Sequence, residues 1–358
     1  MEKKDKKNLK TGFSTGTAAT AAAVAAAELL FNGAAPEKAE VILPKGRRMA
    51  INVEESSLDG TGAAAVVKKI AGDDPDVTNK ARIMAAVSLS PGKGIAITGG
   101  PGVGRLTKPG LALPPGEWAI NPVPRSMIRE NLAPFLERAR EGLAVVVSIE
   151  KGEILAGKTL NPRLGILGGL SVLGTTGLVR PFSNKAYIDT IDAAMNVGRA
   201  LGLEEVVLAT GGRSEDFGRM ARPDLPEEAF VQIADFFKDG LNHAVGHGFK
   251  TIGLSVFFGK AVKQAAGIPY THAHKSDMDL SGLPGILPKL PDSLRREISR
   301  APTALAALEL LKKNGRLDAV PPVARKVLKS ARAFAGLGPR LWVRIFDFDG
   351  TILAFEEA

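Results

Sequence analysis

At 358 residues the chain is long for one hydrophobic core, so two domains are the default expectation. Its hydrophobic content of 45% with 24% charged residues is ordinary for a soluble globular protein, and the lack of any cysteine excludes disulfides, thiolate metal sites and cysteine nucleophiles. A formal charge of +9 favours acidic partners, but with 5% aromatic residues and no recognition motif a small polycarboxylate or phosphate ester accounts for it as well as nucleic acid does.

The N-terminus, MEKKDKKNLK, reads as a solvated tail. No secretory signal or membrane span is read, because the apolar run that follows is alanine-rich, short and interrupted by Glu28. With no cysteine, a cytoplasmic protein is the expectation. Thr11 to Thr17, TGFSTGT, is a hydroxyl- and glycine-rich turn opening an alanine-rich helix that runs to about Phe31. Capping of that helix explains one or two hydroxyls; four of them (Thr11, Ser14, Thr15, Thr17) leave an anion site as the alternative. Short β-like runs follow at Glu40–Leu43, Ala50–Val53, Ala63–Ile70 and Gly94–Thr98, separated by glycine turns. A helix over about Pro124 to Glu141 and a strand Ala144–Glu150 come next, then a Lys151-Gly152 hairpin into Ile154–Lys158. Residues 1–160 therefore read as an α+β domain with a largely antiparallel sheet.

After Asn161 the rhythm becomes strand, glycine turn, helix. Strands are expected at Leu164–Leu167, Glu205–Thr210 and Thr251–Val256, and helices at Asn184–Leu201, Pro226–Gly246 and Gly259–Ala266. Residues 161–290 thus read as a Rossmann-like parallel α/β domain whose ligands bind at the carboxyl ends of its strands. Residues 291–358 read as C-terminal helices up to Gly338 and a final strand, Leu341–Phe348, packing back on the body.

The segment NPRLGILGGLSVLGTTGLVRPFS, Asn161 to Ser183, is the most informative. Its glycines let backbone N–H groups approach a ligand, while Thr175, Thr176, Arg163 and Arg180 suit an anionic, oxygen-rich one. Two other motifs mislead. GGPGVGR (Gly99 to Arg105) imitates a phosphate loop, but Arg105 and Leu106 replace the lysine and the hydroxyl and prolines forbid a following helix. It stays, with Lys108, as a substrate wall. Asp347 to Thr351, DFDGT, resembles the aspartyl nucleophile motif of haloacid-dehalogenase phosphatases, yet too few residues follow it to complete such a site. His243 and His247 are four apart on an expected helix but show no third ligand in the sequence, so two ordinary histidines are the plainer reading. His272 and His274 lie beside Asp277 and Asp279, which allows a metal site, a base or a bracing network.

Taken together, LKTGFSTGTAATAAA, VGRLTKPGLALPPGEWAINPVPR, the glycine-rich segment above, ATGGRSE, FFGKAVKQAAG, THAHKSDMD and the terminal FDFDGTILA resemble, in order and over nearly the whole chain, the cobalt-precorrin-5B (C1)-methyltransferase family of anaerobic cobalamin biosynthesis. One departure is Ala18, where the family is expected to carry cysteine; this chain then implies that a thiol there is not needed for chemistry. The resemblance implies transfer of a methyl group from S-adenosylmethionine to C1 of cobalt-precorrin-5B, giving cobalt-precorrin-6A. Cobalt arrives only as part of the substrate, so no metal site in the protein is expected. The polycarboxylate tetrapyrrole answers the basic charge, neighbouring pathway enzymes are further candidate partners, and neither nucleic acid nor membrane is expected.

On that footing residues 161–290 become the S-adenosylmethionine side and 1–160 the corrinoid side. Gly168, Gly169, Gly174, Thr175, Thr176, Gly211 and Gly212 are the expected backbone contacts of the adenosyl group, with Glu215 nearest for the ribose. Lys10, Thr15, Thr17, Lys108, Arg125, Arg163, Arg180 and Arg213 are the expected carboxylate binders. If a base is needed, His272 supported by Asp277 is the choice. A non-catalytic corrinoid carrier and a nucleotide-dependent oxidoreductase are the rival classes, separated by binding of S-adenosylhomocysteine against NADH.

Overall fold

In a computed structural model, which describes residues 9–272, 280–287 and 290–358, the chain enters through a two-residue strand β1 (Gly12–Phe13) and turns straight into α1 (Thr15–Asn32). The Ser14 side chain caps α1 by accepting from the Thr17 N–H, and Gly33 closes the helix in the left-handed conformation. Every residue from Thr15 to Ala27 is buried, as expected of a helix that is small and apolar on all sides. Strands β2 (Lys38–Ile42) and β3 (Arg48–Asn52) form an antiparallel pair.

The main sheet of this half uses β4 (Glu55–Leu58), β5 (Ala63–Lys68), β6 (Arg82–Ser90), β7 (Ile95–Gly99) and a later strand. Two short strands, β8 (Gly102–Val103) and β9 (Arg105–Leu106), lead to α2 (Pro122–Ala139), followed by that strand, β10 (Gly142–Ile149). The order is β4-β5-β6-β10-β7, antiparallel except for the parallel pair β10–β7. Ile83, Ala85, Val87, Val145 and Val147 alternate onto the face that packs with α1 and α2. Helix α3 (Gly152–Ala156) and the two-residue strands β11 (Ile166–Leu167), β12 (Gly169–Leu170) and β13 (Leu178–Val179) complete the unit, which ends at Ser183.

The second unit, Asn184–Ala358, opens with α4 (Asn184–Ala200) and runs β14 (Glu205–Ala209), α5 (Gly212–Ala221), β15 (Phe230–Gln232), α6 (Phe237–Gly246), β16 (Thr251–Phe257) and α7 (Phe258–Ala265). After it come α8 (Leu283–Ile286), α9 (Asp292–Ser299), α10 (Ala304–Lys313), α11 (Val320–Ala335), β17 (Arg340–Phe346) and β18 (Ile352–Glu357). The sheet order is β15-β14-β16-β17-β18, parallel throughout except for β18. Val206, Leu208, Ile252, Leu254, Val256, Leu341, Val343 and Ile345 share one core with residues of α4, α6, α7 and α11. Each such burial contributes about 1.5–3 kcal/mol. Val207 and Trp342 face the other way, where Ser255 meets α5 at Gly218. Consequently β14 connects to β15 across one face through α5, and β15 returns to β16 across the opposite face through α6. The direction of winding reverses beside β14.

Three local expectations are corrected, and one strand is absent from them. Ile154–Lys158 is not a strand: Lys151 takes a left-handed φ of 55° and starts α3 instead of a hairpin. Leu164–Leu167 is not a parallel strand. The positive φ values of Gly165 and Gly168 cut the apolar run, leaving β11 paired antiparallel with β9 inside the first unit. Pro226–Gly246 is not one helix, because Phe230–Gln232 pairs with β14 as β15 and only the second half is helical. Strand β6 went unread, its alternation (Ile83, Ala85, Val87 inward) being disguised by alanine and serine.

Candidate functional site

The two most conspicuous motifs of the first unit turn out to be halves of one clasp. Strand β1 pairs antiparallel with β13, setting the Thr11–Thr17 turn against the Gly174–Gly177 loop. The Thr15 hydroxyl donates to Leu173 O at 3.2 Å and accepts from the Leu173 N–H at 2.9 Å. The Thr17 hydroxyl donates to Gly177 O at 2.7 Å, and the Ser14 and Gly16 N–H groups donate to Gly177 O and Leu173 O. Thr15 and Thr17 are buried at 4% and 0% exposure, and their hydroxyls are engaged by the loop. The glycines follow the same logic. A Cβ on Gly169 would lie 2.2 Å from Gly102 O, and one on Gly174 (φ 141°) 2.2 Å from Ser14 Oγ. Thr175 and Thr176, at the tip, are exposed, as is Gly168, beside which a Cβ would meet nothing.

The expected carboxylate binders of this unit divide. Arg125 is turned inward, donating to Ile120 O at 2.7 Å and Trp118 O at 3.3 Å and pairing with Glu117 at 3.0 Å. Lys108 lays its stem over Gly165 and donates to Arg163 O at 3.2 Å. Lys10 and Arg180 are exposed and Arg163 is half-buried. The loop that imitates a phosphate cradle is packed against β10: a Cβ on Gly102 would lie 1.9 Å from Ile149 O, while Arg105 covers the Trp118 ring at 4.0 Å.

In the second unit the arrangement is different. Gly211 and Gly212 leave the carboxyl end of β14 and start α5. A Cβ on Gly211 would meet nothing, and one on Gly212 only the Gln232 Nε2 at 3.9 Å. Packing does not require glycine here, and the first N–H groups of a helix have no partner within the helix itself. Ser214 caps the turn by donating to Gly211 O at 2.9 Å. Glu215, expected at a ribose, is 2% exposed and accepts from Gln232 Nε2 at 2.6 Å, so it holds Gln232 in place beside the turn. Arg213 donates to Phe348 O and lies 5.7 Å and 5.5 Å from the ring centres of Phe257 and Phe348, which stack on each other at 4.8 Å. The DFDGT segment thus has a structural role at the same edge. Asp347 pairs with Lys312 at 2.6 Å, and Asp349 accepts from the Thr351 N–H at 2.9 Å.

A further group collects where β15 and β16 end, on either side of β14. Lys260, in the first turn of α7, contacts Asp235 and lies 3.3 Å from the Thr271 hydroxyl. Burial and the neighbouring Lys263 ammonium pull Lys260 down to about 8, despite the Asp235 carboxylate beside it. The Thr271 N–H donates to Asp235 O at 3.0 Å, and His272 stacks flat on Tyr270 with centroids 5.9 Å apart. His272 therefore lies at the same edge as the Gly211-Gly212 turn, whereas Asp277 and His274 lie outside the described residues. Lys260 and Asp235 escaped the sequence reading, since nothing in their spacing announces that two crossovers bring them together.

The CbiD family profile matches residues 2–181, and that of the CbiD C-terminal domain matches 270–357. Cobalt-precorrin-5B C(1)-methyltransferase of Salinispora arenicola is 43% identical over 345 residues, covering 96% of this chain and 91% of that protein. The protein of that name from Priestia megaterium is 43% identical over 354 residues, covering 98% of this chain and 96% of its own. A crystal structure of a cobalamin biosynthesis protein (cbiD) from Archaeoglobus fulgidus is similar with 26% identity and a TM-score of 0.41, covering 86% of this chain and 85% of that one. With both ends matched by the family's profiles and relatives of this identity aligned along almost the entire sequence, the chain belongs to the CbiD family.

Proposed function

We propose that this chain transfers a methyl group from S-adenosylmethionine to C1 of cobalt-precorrin-5B, giving cobalt-precorrin-6A and S-adenosylhomocysteine in anaerobic cobalamin biosynthesis. The observation that carries the reading is the full-length relationship: proteins named for C1-methylation of this substrate share 43% identity across 96% and 98% of the chain. No helix among the described residues is long and apolar enough to cross a membrane, which agrees with an enzyme acting on a charged, water-borne substrate.

The turn at Gly211-Gly212 suits the nucleoside. It stands where the winding of the parallel strands reverses, and its missing side chains leave room that packing does not claim. Backbone N–H groups of Gly212 and Arg213 are the donors we assign to the adenosyl group. Gln232, held by Glu215, replaces Glu215 as the side chain facing it. When bound, S-adenosylmethionine supplies an electrophilic methyl on a sulfonium sulfur. The protein's part is then orientation and exclusion of water, which requires no nucleophile of its own. Exposed Lys10 and Arg180, with Thr175 and Thr176, are the remaining candidates for the carboxylates of the macrocycle. His272 is the candidate base.

The test mixes purified protein, S-adenosylmethionine and enzymatically made cobalt-precorrin-5B and weighs the corrinoid by mass spectrometry. One added methyl group with release of S-adenosylhomocysteine is expected, and isotope mapping locates it at C1. An unchanged mass, with the substrate verified and still bound, would instead indicate a non-catalytic corrinoid carrier.

A further inference from the structure

Helices α4 and α6 bring together three metal-ligating side chains that methyl transfer does not use. Asp192 projects from α4 between core residues Ile191 and Met195, while His243 lies on α6 and His247 closes its C-terminal end. The sequence shows the two histidines one helical turn apart; the third ligand comes from a helix about fifty residues away. His243 Nδ1 and His247 Nε2 each lie 2.8 Å from the same oxygen, Asp192 Oδ1, and the three donor atoms fall within 4.8 Å of one another. Since α6 runs from the end of β15 back to the start of β16, His247 lies toward the amino ends of the parallel strands. That is the opposite edge of the sheet from Gly211-Gly212.

We propose that Asp192, His243 and His247 form a binding site for a divalent first-row transition ion of the Zn2+ or Co2+ class. Two imidazole nitrogens and one carboxylate oxygen converging on a point is a donor set for borderline ions, and it disfavours Mg2+ and Ca2+, which take oxygen. Metal–ligand distances of about 2.0–2.1 Å require each imidazole nitrogen to move from Asp192 Oδ1 by only about half an ångström beyond the present 2.8 Å. Side-chain exposures of 32% for His243, 20% for His247 and 49% for Asp192 leave an entry path and a fourth position for water. Without an ion, the facing ring nitrogens of His243 and His247 share Asp192 Oδ1 as hydrogen-bond partner. An ion binds the facing nitrogens when they carry no proton, the ring proton then sitting on the outward nitrogen of each histidine. The ion clamps α4 to α6, two helices on one face of the parallel sheet.

Titration of the full, untagged chain with Co2+ near neutral pH tests this, read by visible ligand-field absorption and by calorimetry. One equivalent is expected, with the spectrum of a four-coordinate nitrogen–oxygen site and competition by Zn2+. His247→Ala and Asp192→Asn each weaken binding at least about 10-fold, the lower end of what losing even an outer partner of a metal ligand does. Zn2+ raises the melting midpoint of the native chain and leaves that of His247→Ala unmoved. The double change His272→Ala/His274→Ala keeps the equivalent. Circular dichroism confirms that each variant is folded. Unaltered affinity in folded His247→Ala and Asp192→Asn, loss of binding only in the His272/His274 variant, or no uptake by the native chain would each overturn the proposal. None of these outcomes depends on whether the chain methylates cobalt-precorrin-5B.

Discussion

Two glycine-rich turns, one in each half of the chain, look alike in sequence and differ in what surrounds them. At Gly169 and Gly174 the missing side chain is accounted for by a neighbour, the Gly102 carbonyl in one case and Ser14 in the other, and at exposed Gly168 by its positive φ of 77°. Around Gly211 and Gly212 almost nothing occupies the corresponding space. Glycine-for-packing and glycine-for-approach are therefore separable by asking what a methyl group would hit. The richer motif, with more threonines and flanking arginines, is the one whose demands are internal.

That contrast can be broken by substitution, and the largest effect belongs to the packed turn. Gly169→Ala forces a Cβ into backbone that cannot yield, and a loss of about 3 kcal/mol or more is expected, read as a lower urea midpoint. Asp76→Asn follows, at about 3 kcal/mol, because it strands the Lys69 ammonium, which is 1% exposed and lies 2.6 Å from Asp76. The same pair gives a pH signature. Burial works against ionisation of Asp76, but Lys69 and Thr78 hold its carboxyl below the ordinary value. The folded state thus binds this proton less tightly than the unfolded chain does. Its contribution is full above about pH 4 and is lost as pH falls through the folded-state value, a slope that Asp76→Asn removes. Thr17→Val, which removes one of the two donors to Gly177 O and leaves the Ser14 N–H, is expected to lower stability by about 1 kcal/mol in the same assay. A Thr17 that instead served a ligand would show reduced substrate binding at unchanged stability. Smallest in stability is Gly212→Val, within about 1 kcal/mol of the native chain. There calorimetry should register the change, as S-adenosylhomocysteine affinity falling at least about tenfold, or about 1.4 kcal/mol. Equal affinity in that variant would remove Gly211-Gly212 from the site.

Much of this molecule was readable before its structure. Strands β14 and β16 and helices α2, α4 and α7 stand within a few residues of where hydrophobic periodicity and turn residues put them. What stayed hidden was long-range. Strand β15 is three residues long and acquires its identity only by pairing with β14. Thr15 reads as a free hydroxyl until residue 173 is placed against it, and Arg125 as a free cation until Glu117 and two carbonyls enclose it. Asp192 has no local mark of a ligand; only helix packing sets it facing His243 and His247. Periodicity reports which side of an element is buried, and is silent on which polar groups will meet there.

Helix α1 carries a consequence for how such proteins can change over generations. From Thr15 to Ala27 it holds nothing larger than valine or threonine, with neighbours on all sides. In so dense a setting each added methylene must displace a neighbour, so acceptable replacements are confined to steps of an atom or two. Ala18, fully buried, sits where cysteine, one sulfur larger, is expected in relatives. Drift along this helix is thereby reduced to exchanges among alanine, glycine, serine, cysteine, threonine and valine. A complete substitution scan would find a long stretch of intolerance here, set by packing alone.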